Sequence, residues 1–472
     1  MPKNSHKSVN HGLFRFPHNQ STGSELDEER ESLSDSSAGL HDIIDQESLV
    51  EEIDKYIDDL GTNTSPHPGT LLSLVQLLAH HYCGKCLETN RSETLLRLLI
   101  RLLRKPGSFH ETLLAIRSIA LVFLNQGDIT KSQQDVLYAL VAPHLKSLIL
   151  EGGNRAELKH QSMTTLAMVT LIAASDADTR QNLGFFYRIF LTDGAPLQAE
   201  DPGESEILTT GQIQILVETS LCAYGLLYAS LYGDGRGTWD DARDELRGVM
   251  TIHLDLMESR SMDIRKAAAE NIGLMLESTA TLYKKMSKSL KSNDRDTDTD
   301  TGADIKTKTG AEAEAKAKAE TATEAEAEAE AEAEAEPKFQ SQLQSGAVEA
   351  AEAIKALKDN DDDDNCINTS RMFSILNQLA AHGNRKYKKH ESKDQRNVFR
   401  LVLQTAEHGL VPEKKTKLGK RLFVFRGWAH ILEFDAFFDV LGQGLIQHIY
   451  CLKLEESRRP RVLIIIRQFQ DG

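Results

Sequence analysis

From Leu98 to Gly127 the chain reads LLIRLLRKPGSFHETLLAIRSIALVFLNQG. Apolar residues return every three or four positions on both sides of a Lys-Pro-Gly-Ser break. That interval is the period of an α-helix with one buried face. Proline and glycine end one helix before the next begins. The pattern continues from Leu40 to about Lys291, in TLLSLVQLLAHHYC, ETLLRLLIRLLRK, QQDVLYALVAPHLKSLILEGG, KHQSMTTLAMVTLIAAS and QIQILVETSLCAYGLLYASLYG. A chain patterned in this way buries its apolar stripes by laying helix on helix. The nearest approach to an alternating strand is RVLIII at Arg461–Ile466.

One segment indicates how the helices stack. SRSMDIRKAAAENIGLMLES sets Ile264, Ala267, Ala268, Ile272 and Met275 along one helix with a Ser/Asp-rich start. Its run of small residues admits a close neighbouring backbone, and its long apolar residues fill the next layer. This is the pattern of the second helix of an armadillo or HEAT repeat, with a period of about 40 residues. The expected fold is all-α, an armadillo/HEAT-like α-α superhelix. An irregular helical bundle is the alternative.

Composition divides the 472 residues. Residues 1–40 are rich in Ser, Asp and Glu, with too little apolar surface to offset the entropy of ordering, and are expected to be a disordered tail whose serines are candidates for phosphorylation. Residues 41–291 form the helical domain. Residues 292–367 are low complexity, running from strict Ala–Glu alternation to the acidic KALKDNDDDDNCINTS, and read as a linker. Residues 368–455 form a second helical block, with helices expected at Ser370–Ala381, Asp394–His408, Thr416–Arg426, Ile431–Leu441 and Leu445–Leu454. Gly409 stands where a C-terminal glycine would end the second of these. Residues 456–472 have no assigned character.

The formal net charge is −16. That total hides an asymmetry, because His382 to the C-terminus holds 18 basic against 10 acidic residues. Five cysteines at wide spacing do not form a disulfide framework and point to a reducing compartment. The first 20 residues hold no apolar core of a secretory signal. No uninterrupted apolar run approaches the ~20 residues of a membrane helix.

Motifs for chemistry are sparse. HHYCGKC carries Cys83 and Cys86, but no second pair follows at the spacing of a zinc site, so structural or incidental cysteines are the favoured reading. GDGRG at Gly233–Gly237 lacks the Lys-Ser/Thr and the preceding strand of a phosphate loop, and reads as a flexible loop between helices. No nucleophile elbow, HExxH or kinase signature is present. The expectation is a non-enzymatic protein with no cofactor, metal or small-molecule substrate.

The basic block is the remaining feature. Arg385, Lys386, Lys388, Lys389 and Lys393 lead into a helix that continues the charge with Arg396 and Arg400. Lys414, Lys415, Lys417, Lys420 and Arg421 follow. Such clusters neutralise phosphates and release counterions, although a solvated helix face carries the same residues. Lys386, Lys388, Lys389, Lys393, Arg396 and Arg400 are the candidate RNA- or partner-binding residues. Phe399, Val402, Leu403 and Ala406 share the neighbouring, apolar side.

The same stretch resembles a known family. Gln-Arg-x-x-Phe-Arg at Gln395–Arg400, Trp428, Ala-Phe-x-x-Val-Leu-Gly-x-Gly at Ala436–Gly444 and the His448 region are similar to the C-terminal part of the interferon-related developmental regulators. The Leu98–Gly127 stretch, LVAPHLKSLI and the Ile264–Glu277 unit are similar to that family's helical domain. The resemblance departs from the pattern after about Tyr450. It implies an armadillo-like protein without catalysis, working as a transcriptional co-regulator through protein partners, with ribosome or rRNA association as the alternative. It also implies that Phe399, Trp428, Phe437 and Gly442 are core positions of the motif. The expected location is cytoplasmic and nuclear, with no membrane contact.

Overall fold

The computed structural model describes residues 46–62, 68–105, 107–126, 130–151, 155–197, 208–293, 369–382, 389–418 and 421–454. The tail 1–40, nearly all of the linker 292–367, the terminal 456–472 and the RVLIII segment lie outside the described residues. Those described form fourteen α-helices and a two-stranded antiparallel sheet.

Packing divides the chain into two compact units. The first comprises residues up to Leu227, Glu413–Arg426 and the chain from His430 onward. Its helices are α1 (Gln46–Thr62), α2 (Pro68–His80), α3 (Thr89–Arg104), α4 (Phe109–Leu124), α5 (Lys131–Glu151), α6 (Ala156–Ala173), α7 (Asp176–Leu191) and most of α8 (Thr210–Tyr232). They stack in consecutive pairs, α1 with α2, α3 with α4 and α5 with α6. Two layers result, because α1, α3 and α5 pack in one row while α2, α4 and α6 pack in another. This two-row arrangement is the armadillo/HEAT-like stack expected from the apolar period.

Local sequence explains the helix starts. Ser108 opens α4 with a capping box, accepting from the Glu111 amide at 3.2 Å while its own amide donates to Glu111 Oε2 at 3.1 Å. Ser175 and Thr238 accept from the amides of Asp178 and Asp241 in the same way. One helix end is closed from inside the core. The ammonium of Lys159 donates to the carbonyls of Ile149 (2.6 Å) and Leu150 (3.2 Å) at the end of α5. Burial lowers that lysine's pKa to about 8. Helix α8 is long and apolar enough to cross a membrane, but 83% of its most apolar window is buried in the protein.

The second unit spans Tyr228–Pro412 and Gly427–Ala429. It repeats the plan with α9 (Trp239–Met257), α10 (Met262–Asn293), α11 (Thr369–His382) and α12 (Lys389–His408). Helix α9 pairs with α10 and α11 with α12, while α9 meets α11 and α10 meets α12 in the two rows. Ile264, Ala267, Ala268, Ile272 and Met275 of α10 are all buried. Gly409 ends α12 with φ +60°, and its amide donates to the Thr405 carbonyl at 3.0 Å.

One expectation fails. Thr416–Arg426, read as helical, is instead part of a hairpin of β1 (Glu413–Leu418) and β2 (Arg421–Arg426), paired Glu413↔Arg426 through Leu418↔Arg421. The physical reason is alternation. Phe423 and Phe425 are buried while Leu422 and Arg426 are exposed, a period of two that suits a strand and not a helix. The chain then continues as α13 (Trp428–Leu441) and α14 (Leu445–Leu454). In the first unit α14 packs on α2.

Candidate functional site

Helix α12 places most of the candidate basic residues. Lys386 and Lys388 lie outside the described residues. Lys389 and Lys393 are on the first turns of α12, and only their backbone is described. Arg396 is half-buried and Arg400 exposed. Phe399 and Val402 are 0% exposed, and Thr405 and Ala406 are buried beside them. The outward edge runs on from Arg400 through Gln404 to Glu407, both exposed, so it is mixed in character at its C-terminal end.

The apolar side of α12 meets a seat built around Trp428. The Trp428 backbone amide donates to Glu277 Oε2 at 2.9 Å, and its indole Nε1–H donates to Thr405 Oγ1 at 3.1 Å. The indole lies on the backbone of α10 where Gly273 leaves room: a β-carbon there would stand 2.7 Å from indole Cε2 and Nε1. Gly427 precedes it at φ +92°, and a β-carbon at that position would stand 2.5 Å from Glu277 Oε1. Gly427 also donates its amide to the Pro412 carbonyl at 2.9 Å. Sequence reasoning picked out Trp428 but missed Gly273, Glu277, Thr405 and Gly427. The sequence does not single Gly273 out, because Gly61, Gly184, Gly211 and Gly248 also lie within helices and a β-carbon at each of them meets nothing within 4 Å.

The other motif positions sit in the first unit. Phe437 is buried on α13. Gly442 takes φ +57° with open space around it, so its backbone conformation is what calls for glycine. Gly444 packs against the Ala79 carbonyl so closely that any side chain would collide with it. His448, buried on α14, donates Nε2–H to that same carbonyl at 3.1 Å and meets the Tyr82 ring edge-on at 5.8 Å. Burial lowers its pKa to about 4, with His81 and His80 adding in the same direction. Arg117 of α4 donates to the Val440 carbonyl at 3.3 Å.

Lys414, Lys415 and Lys417 lie on β1 and not on a helix. Lys414 turns inward, pairs with Asp435 and stands 5.4 Å from the Phe434 ring centre. Asp439, one turn beyond Asp435 on α13, has its pKa raised to about 8, chiefly by burial and then by Asp435.

Cys83 and Cys86 are buried in the turn after α2. The Cys83 amide donates to Asn125 Oδ1 at 2.8 Å, while Asn125 Nδ2 donates to the Leu78 carbonyl at 2.8 Å. Burial pushes the Cys86 thiol upward, away from the reactive thiolate. Among the described residues no group of three His, Cys, Asp or Glu side chains is placed to hold a metal ion. GDGRG is a turn between α8 and α9, with Gly235 and Gly237 at positive φ, and Lys285 donating to the Gly235 carbonyl at 2.9 Å.

A family model described as "Interferon-related developmental regulator (IFRD)" matches residues 19–407. Interferon-related developmental regulator 2 of Mus musculus is 30% identical over 121 residues, 24% of this chain and 27% of that protein. Interferon-related developmental regulator 1 of Mus musculus and of Homo sapiens are each 33% identical over 78 residues, 16% of this chain and 17% of theirs. The aligned stretches therefore span less than a third of the curated relatives. Trp428, Phe437 and Gly442 lie beyond the residues that the family model matches.

Proposed function

The chain belongs to the interferon-related developmental regulator family, and from that membership we propose that it is a non-enzymatic regulatory scaffold, a transcriptional co-regulator acting through protein–protein contacts. The observation that supports this reading is the stack of helix pairs, a fold that offers surface from many successive helices to a protein partner. Its proposed partners are transcriptional regulators, and its proposed locations are nucleus and cytoplasm. Tethering the full chain upstream of a reporter promoter tests it. Transcript level should change, and an unchanged level refutes the reading.

A second reading is favoured by α12. Lys389, Lys393, Arg396 and Arg400 recur along it, and exposed Arg400 stands clear of the buried Phe399 side. Cations so placed suit the phosphates of ribosomal RNA, and in this reading the protein associates with ribosomes and restrains translation. Sucrose-gradient fractionation at low salt should then place part of the protein with ribosomes. Charge reversal at Lys388, Lys389, Arg396 and Arg400 to Glu should release it, and sedimentation unchanged by the reversal refutes the role of these residues.

A further inference from the structure

The β1–β2 hairpin lies beyond the family match, and no described residue bonds to the outer edge of β1. The Gly427 amide donates to the Pro412 carbonyl, so 412 and 427 form a hydrogen-bonded pair. Counting by twos along the register, Lys414/Phe425, Thr416/Phe423 and Leu418/Arg421 are the other hydrogen-bonded pairs. The residues between them turn their N–H and C=O groups to the outer edges. On β2 one of these groups is taken, since His430 Nδ1–H donates to the Arg426 carbonyl at 2.5 Å. On β1 the backbone groups of Lys415 and Lys417 bond no described residue outside the hairpin.

The same residues project their side chains outward. Glu413, Lys415 and Lys417 are exposed. Glu413 pairs with Lys415 (3.1 Å) and Arg426 (3.3 Å), whereas Lys417 makes no ion pair with a described residue. Leu422, opposite Lys417, is 61% exposed. The inner face is fixed, with Phe423 and Phe425 buried and the Phe425 ring tilted by 31° against that of Phe434, their centres 4.1 Å apart. The hairpin is thus firmly backed on one face, with a main-chain edge that no described residue pairs and two lysines at alternate positions along it.

We propose that the β1 edge is a docking site for an extended acidic peptide, which adds as a third strand and sets carboxylates at alternating positions against Lys415 and Lys417. Strand addition supplies main-chain hydrogen bonds, and the alternating side chains supply selectivity. Directly opposed cross-strand residues have β-carbons about 5 Å apart, close enough for ion pairs. Lysines on an edge discourage pairing between like edges, and the same charge selects an acidic strand. A nucleic acid matches less well. The aromatic rings of the hairpin face inward, so none is offered to a base, and a phosphodiester cannot continue a ladder of amide donors and acceptors.

The full chain is titrated into a fluorescein-labelled decapeptide of alternating Glu and Val. Saturable binding is expected, at least ten-fold weaker for the alternating Lys–Val decapeptide and for the K415E/K417E double variant. Lys417→Pro removes an outward amide that the hairpin does not use, and should weaken binding several-fold beyond Lys417→Ala. Should the proline variant melt early, the wild-type chain is titrated with a Glu–Val peptide N-methylated at alternate residues, in each of the two registers. Methylation in one register should abolish binding. Absence of saturable binding overturns the proposal, as does equal binding of the Lys–Val peptide. Lys417→Pro matching Lys417→Ala, or both methylated peptides binding as tightly as the parent, overturns strand addition. Binding of a uridylate decamer but not of the Glu–Val peptide assigns the surface to nucleic acid and also overturns the proposal.

Discussion

Gly273→Ala tests the Trp428 seat directly. Alanine is the better helix former, and in an open helical position the exchange stabilises by about 1 kcal/mol. Here the new methyl would stand 2.7 Å from two atoms of a rigid indole. The indole cannot step aside cheaply, because its amide is tied to Glu277 and its Nε1–H to Thr405. Overpacking of this kind costs about 1–3 kcal/mol, and a buried indole donor pulled from its acceptor costs about 1–3 kcal/mol more. Offset by the helix gain, the net expectation is a loss of about 1–5 kcal/mol. Equilibrium urea unfolding followed by Trp428 emission in a Trp239→Phe background measures it. Gly248→Ala in α9 is the control, since a β-carbon there meets nothing within 4 Å, and it should stabilise by roughly 0.5–1 kcal/mol. With unfolding followed by far-ultraviolet circular dichroism, adding Trp428→Leu to Gly273→Ala should cost less than the two changes summed, because they share one contact. If Gly273→Ala is neutral or stabilising, like the control, the seat is not tight and the reasoning fails.

Phe399→Ala should destabilise by about 3–5 kcal/mol, since the ring is wholly buried and leaves a cavity; a change within error in the same urea assay would refute its place in the core. Four groups that the fold shields from water shape the pH dependence of stability between about pH 4 and 8. His160, His253 and His448 each have pKa values lowered to about 4 by burial. Between about pH 4 and the ordinary value near 6.5 the unfolded chain binds protons that the folded chain does not, so stability falls with falling pH, by up to about 3 kcal/mol per histidine. Asp439, raised to about 8, acts in the opposite sense: it is neutral when folded and charged when unfolded, so stability falls as pH rises from the ordinary carboxylate range toward 8. Stability from these groups should peak near pH 6.5, and His448→Gln, whose amide can still reach the Ala79 carbonyl, should flatten the acid limb by about one proton. An unaltered slope would mean that His448 is not held neutral.

Helix type and stacking were legible because burial on one side of a helix imposes a period, as in Leu98–Gly127 or Ile264–Met275. The strands were harder to read. Lys414, Lys415, Lys417 and Arg421 supply no apolar face of their own, and only Phe423 and Phe425 alternate with exposed neighbours. The glycine-led Gly419-Lys420 between the two runs was the available hairpin signal. For the candidate site, the burial of Phe399 beside outward Arg400 could be drawn from spacing alone. The partners of Trp428 could not, because Gly273, Glu277 and Thr405 lie far from it in sequence and meet it only once α10 and α12 have packed.

In the second unit, α11 and α12 take up the same two rows as α9 and α10, although residues 294–368 separate α10 from α11 in the chain. The two rows are therefore completed by helices far apart in sequence, and the second unit depends on long-range contacts that local helix propensity cannot supply. The entropy of bringing such distant partners together grows by only about 0.6 kcal/mol for each doubling of the sequence between them. A row of stacked helices can thus be built from pieces of chain that are not neighbours in sequence.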